Sequence, residues 1–384
     1  MSGVLNKPFF ADPRYIAAIW MAFAVIAALK QFFTDDFNNY LIFKHVFYHT
    51  VDQISLYAEY PDLYKDHNHY GPFFSIVIAP FALLPDVLGM TMWNLANAAF
   101  IIWAVFMLPL AANKKSLILW ISAHEFLTAA LSFQFNPSIA AIIILSFVFI
   151  DKKKDFWAAM LIVAGTFIKL YGVVGLAFFF FSKDKFKFIL SLVLWGIIFF
   201  LLPMLISSPQ YVMNSYLDWY ERLLVKNNLN VFVSNMQDIS LMGLVRKVTH
   251  SPNLSNMPFI LGGLLLFGLT YLKIKFYKNP TYRLLLLSSV LIFTVIFSTG
   301  SESPTYIIAF MGIAIWYSAQ NKLLYLNLFL LLFAIILSSL SPSDLFPAFV
   351  RENYIKPYAL KALPVVLIWF KIVNDMLTMK NIKN

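Results

Sequence analysis

The chain has 384 residues, 60% of them hydrophobic and 12% charged. A soluble domain carries about 45–50% apolar and about 25% charged residues, so these proportions exclude an ordinary soluble enzyme and point to a polytopic membrane protein. The formal charge is +10 and cysteine is absent, which excludes disulfides, thiolate catalysis and cysteine-bound zinc or iron–sulfur sites.

In chain order, "RYIAAIWMAFAVIAALKQFF" (14–33) is the first apolar run. It is long enough to cross a bilayer, which takes about 20 residues, and it lacks the small-residue site of a cleavable signal. Further spans are expected at 87–110, 116–132, 188–206, 258–274, 284–299, 305–319, 323–340 and 360–374. The stretch 137–182 reads as three short pieces, 137–150, 156–167 and 170–182. The last two are expected to be half-depth helices that meet at Ile168–Tyr171 and are shielded by neighbours. The expected architecture is an all-α integral membrane protein, one polytopic domain over 1–384 with about twelve crossings. No internal repeat is visible, which disfavours a secondary transporter.

Charge orients this threading. The lysine-rich loops "NKK" (113–115), "DKKKD" (151–155), "SKDKFK" (182–187) and "KIKFYKNPTYR" (273–283) all fall on one side, together with both termini. The positive-inside rule makes that side cytoplasmic. The long loops 34–86 and 207–257 fall on the other face, with most of the 19 acidic residues. Their Pro, Trp and Tyr suit interfacial helices lying at headgroup level.

The first outer loop opens with "TDDFNNY" (34–40). Asp35 and Asp36 stand at the water–lipid boundary, where a partly desolvated carboxylate is a stronger base. Either could instead cap the following helix. Lys169 lies between two short apolar helices, a costly place unless it lines a polar cavity or meets an anion. Arg246 and Lys247, in the second long loop, are rival anion ligands. His67 and His69 in "DHNHY" suit hydrogen bonding to sugar or phosphate better than metal, because no metal-ligand spacing is present. Glu302, at the outer end of a span, suits either a sugar hydroxyl or a helix cap. Glu125 lies within a span, where a carboxylate is a functional candidate by default, and structural pairing with His124 or Lys30 would satisfy it equally well.

An ordered set of short motifs resembles glycosyltransferase family 87, of the GT-C superfamily that uses polyprenyl-phosphate sugars. Asp36-Phe37-Asn38-Asn39-Tyr40 resembles the family's D-[FL]-x-x-Y. Leu63-Tyr64, Tyr70-Gly71-Pro72-Phe73, Ala79-Pro80 and Met92-Trp93-Asn94 with Asn97 follow in order. Phe133-Gln134-Phe135-Asn136 is similar to a G-Q-x-N turn, with Phe133 in place of glycine. Ile168-Lys169-Leu170-Tyr171 is similar to I-K-x-Y/P. Asn235-Met236-Gln237, Ser240-Leu241, Gly243 and Arg246 resemble N-Q-S-L-x-G-x-x-x-R with the glutamine displaced by one. Ser303-Pro304-Thr305-Tyr306 resembles S-P-x-S/T-Y/W, followed by Ile307 and Ile308 where the family often has a histidine pair.

The resemblance implies a GT-C fold and an inverting glycosyltransferase of the extracytoplasmic face of the cytoplasmic membrane, a relative of the polyprenyl-phosphate-mannose-dependent mannosyltransferases. The implied substrates are a polyprenyl-phosphate sugar, mannose-like, and a hydroxyl of a glycan or glycolipid. It implies Asp36 as general base with Asp35 second, and Lys169, Arg246, Lys247, His67, His69, Tyr70, Gln134, Asn136, Gln237 and Glu302 as substrate contacts. Neither a cofactor nor a metal is implied, and no nucleic acid. The readings set against it are a lipid or polysaccharide transporter without chemistry and a polyprenyl-diphosphate-dependent polymerase or ligase.

Overall fold

The computed structural model describes residues 8–232, 237–320 and 324–380. Among them every regular element is helical. Among the described residues three helices are long and apolar enough to cross a membrane: α1 (Pro13–Phe33), α4 (Asp86–Met107) and α8 (Lys185–Leu201), which runs on apolar to Leu205. Between them lie α2 (Asn38–Asp52), α3 (Phe74–Ala82), α5 (Ala112–Leu131), α6 (Asn136–Asp151) and α7 (Asp155–Ile168). After α8 come α9 (Pro209–Phe232), α10 (Leu241–Val248), α11 (Met257–Thr270), α12 (Pro280–Ile296), α13 (Tyr306–Ala319), α14 (Tyr325–Phe333) and α15 (Ala362–Thr378).

The chain forms two compact units. One comprises Arg14–Ala111 and Phe126–Lys226, the other Met1–Pro13, Ala112–Glu125 and Asn227–Asn384. In the first, α1 buries Ile16, Trp20, Ala24, Ala27, Ala28 and Gln31, a stripe at helical spacing. Its alanines allow close approach of neighbouring backbones, the usual device where lipid removes the hydrophobic drive for helix association. Asn94 of α4 donates to Ala130 O at 3.1 Å, a polar tie between spans worth about 0.6 kcal/mol and at most about 1.7. Trp20 stacks on Phe126 at 4.3 Å.

α1 ends in a left-handed turn. Asp35 has φ 54°, Asp36 N–H bonds to Gln31 O at 2.9 Å and Asp35 N–H to Phe32 O at 3.2 Å. This is the Schellman arrangement, and aspartate is among the few residues that tolerate its left-handed position. The adjacent carboxylates therefore do not cap α2. Phe37 is its N-cap residue and makes no side-chain cap bond.

The three short pieces appear at Asn136–Asp151, Asp155–Ile168 and Leu170–Phe181. The helix breaks at Lys169, whose backbone is extended at φ −148°, ψ 123°. The third piece departs from the expected α-helix and is a 3₁₀ helix of 12 residues. Its buried residues are Gly172, Gly175 and Phe178, one every three. Three residues per turn stack that set on one edge, where an α-helix would fan it apart. A Cβ on Gly172 would lie 2.3 Å from Gly165 C and Thr166 N, so the close packing on α7 needs glycine. At about 2.0 Å per residue the 3₁₀ form also reaches about 24 Å, against about 18 Å as an α-helix.

In the other unit α12 and α13 are buried along nearly their whole lengths, and Trp369 of α15 donates to Ser289 Oγ of α12 at 2.9 Å. Glu125 is fully buried and pairs with Lys361, whose Nζ lies 3.0 Å from both carboxylate oxygens. The expected partners were His124 and Lys30; His124 bonds to Ser339 Oγ at 2.9 Å instead, and Lys30 is exposed.

Candidate active site

The site in the first unit is organised by the turn that joins α5 to α6. This turn repeats the stop of α1: Phe133 has φ 52°, and Gln134 N–H bonds to Ala129 O at 3.1 Å. Its residues receive or make a bond at almost every step. Gln31 Nε2 donates to Leu131 O at 2.8 Å and to Asp36 Oδ2 at 3.3 Å. Asn39 Nδ2 donates to Ser132 O at 2.9 Å, and Trp93 Nε1 to Phe133 O at 2.8 Å. Tyr70 OH donates to Gln134 Oε1 at 3.1 Å. Lys169 Nζ donates to Asn136 Oδ1 at 2.9 Å. One turn thus holds the Asp36 corner at one end and Lys169 at the other. Five residue steps span at most about 18 Å even when extended.

The rest of "TDDFNNY" fixes that corner. Asn38 makes two bonds with Lys65, Nδ2 to the carbonyl at 2.6 Å and Oδ1 from the N–H at 2.7 Å. Tyr40 OH donates to Phe81 O at 3.0 Å. Asp36 itself is exposed, and so is Asp35. Asp35 supplies the turn, while Asp36 presents its carboxylate beside the Gln31 amide.

The loop before α3 forms the second wall. Gly71 N–H bonds to Ile168 O at 3.0 Å, and a Cβ there would sit 2.1 Å from Phe167 O, so the loop presses against the end of α7. Tyr70 is buried against Phe43 and Phe74, and Lys169 Nζ stands 5.7 Å from its ring and 5.0 Å from that of Tyr171. His69 O accepts from Trp219 Nε1 at 3.0 Å, while its Nδ1 is buried without a hydrogen-bond partner. Burial, then the charges of Lys226, Arg222, His67 and Lys169, push the His69 imidazole down to about 2. It is neutral at physiological pH. His67 bonds to Tyr57 O at 3.0 Å and lies 3.2 Å from Glu59. Among the described residues no group of three or more His, Asp or Glu side chains could hold a metal ion.

Arg222 and Lys226 were not anticipated from the sequence. With Trp219 they share one face of α9, at i, i+3 and i+7, and Trp219 is the residue that anchors α9 to His69. Asp66 and Glu59 act on Arg222 from the loop, but burial outweighs them and lowers its pKa below the ordinary arginine range. The cluster is therefore cationic, partly dehydrated and built around an unpartnered imidazole nitrogen. Such a cluster is suited to an anion.

The remaining sequence candidates belong to the other unit. Arg246 is buried, paired with Asp238, and bonded to Leu254 O at 3.0 Å and Asn256 Oδ1 at 2.5 Å. It also lines a cavity of about 200 Å³ with Asn227 and Asn228. Lys247 Nζ donates to Gln237 O at 3.1 Å. Glu302 is the N-cap residue of the turn Ser303–Thr305, and its N–H bonds to Thr305 Oγ1 at 3.4 Å. Asn235 and Met236 lie outside the described residues.

The family model of glycosyltransferase family 87 matches residues 68–299. The chain belongs to glycosyltransferase family 87. It is a membrane glycosyltransferase and so handles a sugar donor and an acceptor. The family 87 match takes in His69, Tyr70, Gln134, Asn136, Lys169, Arg222, Lys226, Gln237, Arg246 and Lys247; Asp35, Asp36 and His67 precede it, and Glu302 follows it. No curated protein matches the chain significantly.

Proposed function

We propose that the chain moves a sugar, a mannose-like hexose, from a polyprenyl-phosphate carrier to a hydroxyl of a glycan or glycolipid, with inversion at the anomeric carbon. The observation that carries this reading is the 131–136 turn, which couples an exposed carboxylate at Asp36 to a cation at Lys169. Asp36 takes the proton of the acceptor hydroxyl as that oxygen bonds to C1. The C1–O bond breaks, and its electron pair leaves with the polyprenyl phosphate. Phosphate is a good leaving group, so the step needs a base and cationic stabilisation but no general acid. Lys169 meets the departing phosphate, with His69, Arg222 and Lys226 as the wider anion site. Tyr70, Gln134 and Asn136 hold the lysine and the turn in place. Arg246, already committed to Asp238 and Asn256, keeps the second long loop in shape.

The proposed setting is a GT-C fold in the cytoplasmic membrane. The three long spans and six shorter apolar helices among the described residues supply nine of the about twelve crossings in this reading, which puts both termini in the cytoplasm and Asp36 on the extracytoplasmic face. No cofactor enters the scheme. Its test is to incubate purified protein in lipid with a panel of polyprenyl-phosphate sugars and a glycolipid acceptor. Disappearance of one donor with release of polyprenyl phosphate supports the reading. Turnover only of a diphosphate-linked oligosaccharide overturns it in favour of a polymerase or ligase.

A further inference from the structure

A groove of about 650 Å³ opens at the lysine-rich ends of α7 and α8, within the first unit. Its rim carries Lys153, Lys154, Lys183 and Lys187, and its floor includes Trp157 and Leu190. The volume lies in the range of sites that hold small molecules. Two carboxylates share the lining, and both have other work. Asp155 accepts from Ser182 Oγ at 2.8 Å, which ties the α8 loop to the start of α7. Asp184 caps α8 through Lys187 N–H at 3.1 Å and lies 3.2 Å from Lys187 Nζ. The groove keeps an excess of positive charge after both are counted.

Leu190 and Leu194 line the groove, and beyond it the same face of α8 carries Ile197 and Leu201. Leu190, Leu194, Ile197 and Leu201 are 51%, 46%, 54% and 47% exposed and follow one another at i, i+4, i+7 and i+11 along α8. That spacing makes a single stripe of about 16 Å running down the helix from the lysines. α8 is itself one of the helices apolar enough to span the bilayer. α8 also exposes Phe186, Ile189 and Val193, as a lipid-facing span does, and what sets this face apart is that it begins among the four lysines. A molecule with an anionic head and an acyl tail uses both.

We infer that this groove is a binding site for an anionic glycerophospholipid, its phosphate among Lys153, Lys154, Lys183 and Lys187 and one acyl chain along Leu190, Leu194, Ile197 and Leu201. The site is separate from the residues assigned to sugar transfer and does not depend on that assignment. Lysine at headgroup level with Trp157 beside it is the arrangement expected for such a lipid.

The test compares phosphatidylglycerol with phosphatidylcholine. Purified protein is exchanged into mixed micelles of the two lipids, retained lipid is counted by native mass spectrometry, and the melting midpoint is followed as the phosphatidylglycerol fraction rises. Wild type should retain phosphatidylglycerol selectively and melt higher with it. Lys154→Gln/Lys187→Gln, which empties half the rim, and Leu190→Trp, which fills the floor and keeps every charge, should each lose most of that selectivity and that rise. Lys114→Gln/Lys115→Gln, an equal loss of charge elsewhere, should keep both. Wild-type retention in the two groove variants, or the same loss in the control, overturns the site. So does an equal rise in midpoint with inorganic phosphate at the same concentration, since that assigns the lysines to a free anion.

Discussion

Replacing Lys169 with methionine separates what the lysine does for the fold from what it does for the reaction. The substitution keeps most of the aliphatic stem and deletes the charged Nζ, which stands near the Tyr70 and Tyr171 rings. The bond to Asn136 is lost, and Asn136 is fully buried with its Nδ2 already unpartnered. A buried acceptor left unpaired costs about 1–3 kcal/mol. Lower desolvation of methionine offsets part of this, so the expected loss of stability is about 1–2 kcal/mol. The effect on transfer is larger. Removing one preorganised donor from a developing anion costs about 10²–10³ in kcat. The assay is the initial rate of polyprenyl-phosphate release at saturating acceptor, with the melting midpoint measured on the same preparations. A folded Lys169→Met protein with wild-type kcat and donor KM refutes the assignment. A fall in the midpoint with unchanged turnover reduces Lys169 to a structural tie for the turn.

Other outcomes follow from the same geometry. Asp35→Gly should preserve transfer and leave the protein as stable or up to about 1 kcal/mol more so, because Asp35 serves through its left-handed backbone at φ 54°; a loss of activity here contradicts that role. Glu125→Gln should lower stability by about 3–5 kcal/mol by leaving Lys361 buried and unpaired, and Glu125→Gln/Lys361→Met should recover much of it; additive losses in a double-mutant cycle refute the pairing. His69 has a folded pKa of about 2 against an ordinary value of 6.5, so as pH falls from 6.5 the unfolded chain takes up a proton that the folded chain refuses. Stability therefore declines over that window, and His69→Gln should melt with a shallower dependence on acid; an unchanged slope would mean that His69 ionises freely in the fold.

Much of the architecture was legible because it is local. The class follows from composition, and the breaks near residues 151–155 and at Lys169 follow from charges interrupting apolar runs. The role of the "DD" pair was only half legible. Spacing marked a carboxylate at a helix end, but the left-handed turn that gives Asp35 a backbone task shows only in its dihedrals. The 3₁₀ form of Leu170–Phe181 had a faint signal in the three-residue rhythm of Gly172, Gly175 and Phe178, which an apolar count passes over. Distant partnerships left no mark. Glu125 and Lys361 stand 236 positions apart. Arg222 and Lys226 join the site because Trp219 anchors α9 to the 69–71 loop, although their shared helical face could have flagged them as a set.

The most direct measurement is single-turnover sugar transfer by Asp36→Asn, with wild type and Asp36→Glu alongside, using the polyprenyl-phosphate donor found by the panel. Asparagine keeps the shape and the bond from Gln31 but cannot accept the acceptor's proton at neutral pH. With Asp36 as the base, the asparagine variant should still bind donor while transfer falls by about 10²–10⁴. Wild-type transfer by a folded Asp36→Asn protein would contradict that role.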